Sequence, residues 1–154
     1  MELKTKIKAE ENTQELFITR EFDLPLELLF KAYEDSEIIE QWMNTKVIKL
    51  ENHKHGSWKF ETSHDGQVVF SANGVVLEFI PNEKITRTFE MENSPFPVQL
   101  EFLTFEEIEK NKSKLTIQQI FKSVDYRDQL LKMPFAKGLS MAHDKLQNIF
   151  TKLK

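Results

Sequence analysis

From Thr45 to Phe121 the apolar residues recur at every second position, and that period of two commits the middle of the chain to extended strands. Turn formers interrupt the pattern at His53 to Gly56, His64 to Gln67, Pro81 to Lys84, Asn93 to Pro97 and Glu107 to Ser113. The breaks divide the region into about six strands. Such short connections cannot hold the crossover of about a dozen residues that parallel pairing needs, so an antiparallel sheet is expected. Along it Trp58 and Phe60 share a face, as do Ile85, Arg87 and Phe89, then Val98, Leu100 and Phe102, then Leu115, Ile117, Gln119 and Phe121. One side of the sheet is therefore expected to be apolar, and an apolar side needs a cover.

The two ends of the chain supply that cover. Gln14 to Phe22 reads as a further strand, after which Asp23 to Pro25 forms a helix start and Leu26, Leu29, Phe30 and Tyr33 recur at helical spacing. Asp35 and Ser36 can cap a second short helix that turns Ile38, Ile39, Trp42 and Met43 the same way. A helical stretch begins after Asp125, is interrupted near Pro134, and then places Phe135, Leu139, Ala142, Leu146, Ile149, Phe150 and Leu153 on one narrow arc. A helix of about 20 residues is about 30 Å long, enough to lie across a curved sheet. The expected architecture is α+β: a curved antiparallel sheet of about seven strands, two short helices after the first strand, and a long C-terminal helix over the concave face. Residues 1–154 are expected to form a single domain, with 1–13 a polar extension or an edge strand.

Composition narrows the chemistry. The chain has no Cys, which excludes disulfides, thiolate metal centres and thiol nucleophiles. Its net charge of −4, with both signs mixed along the sequence, lacks the clustered Lys and Arg of a nucleic-acid partner. Neither a signal peptide nor a window of the ~20 apolar residues needed to span a bilayer is evident, so a cytoplasmic protein without a membrane span is expected.

Particular residues carry a resemblance. LPLELLFKAYEDSEIIEQWM from Leu24 to Met43, GSWKF from Gly56 to Phe60, GVVLEFIPNEKI from Gly74 to Ile85 and GLSMAHDKL from Gly138 to Leu146 follow one another in the order of the family pattern. Together they are similar to the activator of heat-shock-protein-90 ATPase homologue-like family, within the START-like (birch-pollen-allergen) superfamily. The resemblance implies a helix-grip fold. Where that pattern has Trp, Trp and Leu, this chain has Met43, Leu139 and His143. The resemblance also implies a chaperone as a protein partner, although 154 residues leave no room for the separate chaperone-binding domain found in that family.

A large inward apolar set with few acids or bases points to a cavity that binds a small apolar or amphipathic molecule. Its candidate wall comprises Trp42, Trp58, Phe60, Arg87, Phe89, Phe102, Gln119, Phe121, Leu139 and His143. Arg87 and Gln119 are the polar members able to orient a ligand, and His143 lies at the flank of the helical arc. No catalytic residue and no cofactor is assigned, and the oligomeric state is left as monomer or homodimer. Ser140, His143 and Asp144 do not make a triad, because neighbouring side chains on a helix diverge. His53 and His55 lack a third ligand nearby, so no metal site is expected. Two other readings remain: a chaperone-associated interaction module, and a cyclase-like or hydrolytic enzyme using His143 with Gln119 or Arg87.

Overall fold

A computed structural model describes residues 4–152. In chain order the elements are β1 (Lys6–Lys8), β2 (Glu15–Phe22), α1 (Leu26–Glu34), α2 (Ser36–Met43), β3 (Lys46–Leu50), β4 (Ser57–His64), β5 (Gln67–Ile80), β6 (Lys84–Met91), β7 (Gln99–Glu109), β8 (Lys112–Ile120), α3 (Val124–Leu131) and α4 (Phe135–Lys152). The strands form one sheet in the order β1-β2-β8-β7-β6-β5-β4-β3, antiparallel at every pairing. The strand count is eight rather than about seven. The addition is β1, a mostly polar segment held to β2 through its backbone, which leaves almost no apolar period to read. Among the described residues no helix is long and apolar enough to cross a membrane.

Local chemistry sets the boundaries. Asp35 ends α1 and caps α2, its Oδ1 accepting from the backbone N–H groups of Glu37 (2.9 Å) and Ile38 (3.2 Å). Asn44, at φ 53°, stops α2 in the left-handed conformation. Ser123 caps α3 by accepting from the Tyr126 N–H at 3.1 Å. Between β4 and β5, Asp65 and Gly66 both have positive φ, as a two-residue hairpin turn requires. Gly74 is needed for space: a side chain there would collide with the Thr88 carbonyl oxygen of the next strand and come within 2.6 Å of Trp58 Nε1.

The concave face divides into two cores. The larger joins Leu16, Ile18 and Phe22 of β2, Leu103 and Phe105 of β7, and Leu115 and Ile117 of β8 to Leu29, Phe30 and Tyr33 of α1 and to Leu146 and Phe150 of α4. In the smaller, Ile39 of α2 covers Trp58, Phe60, Ala72 and Val76 of β4 and β5. The expected apolar arc of α4 does turn toward the sheet, except that Leu153 lies outside the described residues.

One strand is read in the wrong register from sequence. The alternation predicts Val98, Leu100 and Phe102 inside, whereas β7 buries Glu101, Leu103 and Phe105. A shift of one residue exchanges the faces of a whole strand. Both registers of QLEFLTF contain apolar residues, and the true one includes an acid that sequence reading places outside by default.

Candidate functional site

Over part of the concave face, α4 does not touch the sheet. A cavity of about 480 Å³ remains between them. Its floor is Ile18 of β2, Arg87, Phe89 and Met91 of β6, Gln99 and Glu101 of β7, and Ile117 and Gln119 of β8. Tyr33 of α1 and Trp42 and Met43 of α2 form one wall, and Leu130 of α3 with Phe135, Gly138, Leu139 and Ala142 of α4 form the roof. Met43 and Phe70, both also exposed, complete the lining. Two of the α4 residues over this region, Gly138 and Ala142, are small, whereas toward its C-terminal end Leu146 and Phe150 are buried in the larger core.

The floor carries a polar row across three strands. Arg87, Glu101 and Gln119 face one another directly in the register of β6, β7 and β8. Arg87 Nε donates to Glu101 Oε1 at 3.0 Å and Gln119 Nε2 donates to Glu101 Oε2 at 2.7 Å. The Arg87 guanidinium also lies 4.9 Å from the centroid of the Trp58 ring, a cation–π contact. Only 5 % of Glu101 is exposed, and a carboxylate that deep is tolerated because both oxygens are bonded and one partner is a cation.

A second polar chain runs behind the wall. Arg20, buried on β2, donates from Nη2 to Asp144 at 2.7 Å and from Nη1 to Thr5 Oγ1 at 3.2 Å. Thr5 Oγ1 lies 2.9 Å from His143 Nδ1, and His143 Nε2 lies 3.3 Å from the Tyr33 hydroxyl. His143 is fully buried, its ring edge-on to Phe22 at 5.5 Å. Burial, helped by the Arg20 charge and opposed by Asp144, pushes its pKa down to about 3, so the ring is neutral. Burial likewise raises the Tyr33 pKa, partly offset by Arg87 and reinforced by Glu101, so its hydroxyl stays protonated.

The structure distributes the sequence-derived candidates unequally. Trp42, Arg87, Phe89, Gln119 and Leu139 line the cavity. His143 stands behind Tyr33 rather than on the cavity surface, and is entirely enclosed rather than at a helix edge. Trp58 and Phe60 belong to the smaller core under α2, although Trp58 supports Arg87 from behind. Phe121 is packed in the larger core. Phe102 lies on the opposite face of the sheet, in register with Thr86 and Gln118, for the reason given above. Sequence reasoning missed Glu101 and Tyr33. A signal for Glu101 existed, since inward Arg87 and Gln119 both need a partner and an acid sits on the strand between them.

Comparison with known proteins agrees with this geometry at the level of fold. The sequence profile described as "Activator of Hsp90 ATPase homolog 1-like protein" matches residues 23–151. No curated protein matches the chain. Among solved structures, protein Ms6760 from Mycobacterium smegmatis superposes with a TM-score of 0.82 at 20 % identity, covering 94 % of this chain and 95 % of that one. A protein from Arthrobacter aurescens gives 0.83 at 15 % identity, with 96 % and 91 % covered. One from Staphylococcus epidermidis gives 0.79 at 20 % identity, with 96 % and 95 % covered. Identities this low speak for the shared fold alone. The profile match, which begins just before α1 and ends within α4, shows that the chain belongs to the Activator of Hsp90 ATPase homolog 1-like protein family.

Proposed function

We propose that the protein binds a small amphipathic molecule in the cavity between the sheet and α4. The observation that carries this reading is the combination of an apolar cavity of about 480 Å³ with a short polar row set into its floor. Ligand sites are commonly of about 300 to 1,000 Å³, mostly apolar, with a few placed polar groups. A catalytic reading has less support. His143, the imidazole nearest the cavity, is screened from it by Tyr33 and is held neutral by burial. The Glu101 carboxylate has both oxygens engaged, which leaves it poorly placed as a general base.

The test is titration with a neutral environment-sensitive dye, N-phenyl-1-naphthylamine, against the wild type and Leu139→Trp. Leu139 lines the roof, so an indole there would occupy ligand space. Saturable binding of one dye per chain, weakened at least about tenfold by a Leu139→Trp variant that keeps its fold, is the expected result. Absence of saturable binding to the wild type, or equal binding by both proteins, rejects the cavity as the site.

A further inference from the structure

The three arginines of the chain are used differently. Arg20 donates from Nη1 to Thr5 and from Nη2 to Asp144, and Arg127 donates from Nη1 to Glu10 and Thr13 and from Nη2 to Asp128. In both, the guanidinium clamps one part of the chain to another. Arg87 donates from Nε alone, to Glu101, and among the described residues neither its Nη1 nor its Nη2 makes a hydrogen bond. Those two nitrogens form the end of the guanidinium fork and carry the rest of its N–H donors.

The fork is open rather than sealed. The Arg87 side chain keeps 12 % of its surface exposed, and among the described residues the fully buried side-chain polar atoms without a partner are Arg20 Nε and Gln119 Oε1, not the Nη atoms of Arg87. The space that Arg87 lines is the cavity. Glu101 holds the guanidinium at Nε, and the Trp58 ring supports it with its centroid 4.9 Å away, so the fork is in place before any ligand arrives.

Charge and hydrogen count decide what that edge accepts. The Arg87 charge is already matched by Glu101, and no other cation is among the residues that line the cavity. An anionic ligand would add a second negative charge to an apolar space whose one cation is shared. A neutral carbonyl oxygen avoids that cost: it has two lone pairs for the two Nη groups and no hydrogen in need of an acceptor. We infer that the cavity takes a neutral, mainly apolar carbonyl compound, a ketone or an ester, whose oxygen accepts from Arg87 Nη1 and Nη2 and whose body lies under Leu139 and Phe135. The inference rests on the cavity-binding reading and names its ligand class.

The experiment is displacement of N-phenyl-1-naphthylamine at pH 7.5 by 2-decanone, by 2-methyl-1-decene, in which a CH2 group replaces the carbonyl oxygen, by 2-decanol and by decanoate. The ketone should bind the wild type more tightly than the alcohol or decanoate does. Relative to the alkene, which has no acceptor, the ketone should lose at least about tenfold when Arg87→Met is made together with Glu101→Gln, a pair that removes the fork without leaving a lone buried carboxylate. Nitrogen-15 spectra of the wild type need no variant: the ketone should shift the Arg87 Nη signals and the alkene should not, with Arg20 and Arg127 as internal references. If the double variant does not fold, these spectra decide. Alcohol or decanoate binding as tightly as the ketone, a ketone-to-alkene ratio unchanged in the variant, or Nη signals unmoved by the ketone overturns the carbonyl assignment while leaving the cavity reading intact. Dye that binds but is displaced by none of the four also overturns it. Failure of the dye itself to bind overturns the cavity reading.

Discussion

Replacing His143 by leucine should make the protein less stable at neutral pH and more stable in mild acid, with the two stability curves crossing near pH 5. At pH 7 the substitution removes the bonds to Thr5 and Tyr33 and leaves two buried hydroxyls poorly served. At about 1 kcal/mol for each bond, the loss is about 2 kcal/mol. The wild-type ring, however, has a folded-state pKa pushed down to about 3, below its ordinary value of 6.5. The unfolded chain therefore takes up a proton below pH 6.5 while the folded chain does not. The stability linked to this ring is fully present above 6.5 and declines as pH falls toward the folded value, at about 1.4 kcal/mol per pH unit. A deficit of about 2 kcal/mol is cancelled after about one and a half units, which places the crossing close to pH 5. The leucine side chain of the variant does not titrate and so has no such dependence, and the carboxylates common to both proteins cancel in the difference. Urea unfolding followed by Trp42 and Trp58 fluorescence at pH 7, 6, 5 and 4.5 measures that difference directly. Parallel curves for the two proteins over this range would refute the buried neutral imidazole.

Two glycines give opposite expectations for the same substitution. Gly74→Ala drives a methyl group against the Thr88 carbonyl and Trp58 Nε1, so a loss of about 1–3 kcal/mol or more is expected in urea unfolding; a change within about 0.5 kcal/mol would show that the strands have room to part. Gly138→Ala meets open space within α4, so a gain of about 1 kcal/mol from helix propensity is expected. That corresponds to a thermal midpoint about 2–4 °C higher, and an unchanged or lower midpoint would contradict it.

Most of the architecture was legible because it depends on periodicity. The alternation in β4, β6 and β8, the stripe on α4 and the cap at Asp35 are local signals, each matching what the tertiary structure demands. The site was legible only in part. Arg87 and Gln119 stood out as polar residues on apolar faces, but the residue that reconciles them, Glu101, lies on a strand where both registers look acceptable. The role of His143 depends on Thr5, which is 138 positions away in sequence. No spacing rule reaches that far, so its complete burial behind Tyr33 appears only when the N-terminal segment is seen lying beside α4.

The strand order has a consequence for how the receptacle is made. β3 to β8 form a meander in which each strand pairs with its sequence neighbour, but β2 pairs with β8, Leu16 lying opposite Gln119. Closing so long a loop is entropically unfavourable and slow compared with zipping adjacent hairpins. During synthesis the meander can assemble as it leaves the ribosome and α2 can settle on β4 and β5, while β2 waits for a partner strand, β8, that emerges only near the end. The last rows of the floor, on β8 and β2, and the roof, on α3 and α4, then arrive together, so a chain halted before β8 has strands and helices but no covered space to offer a guest.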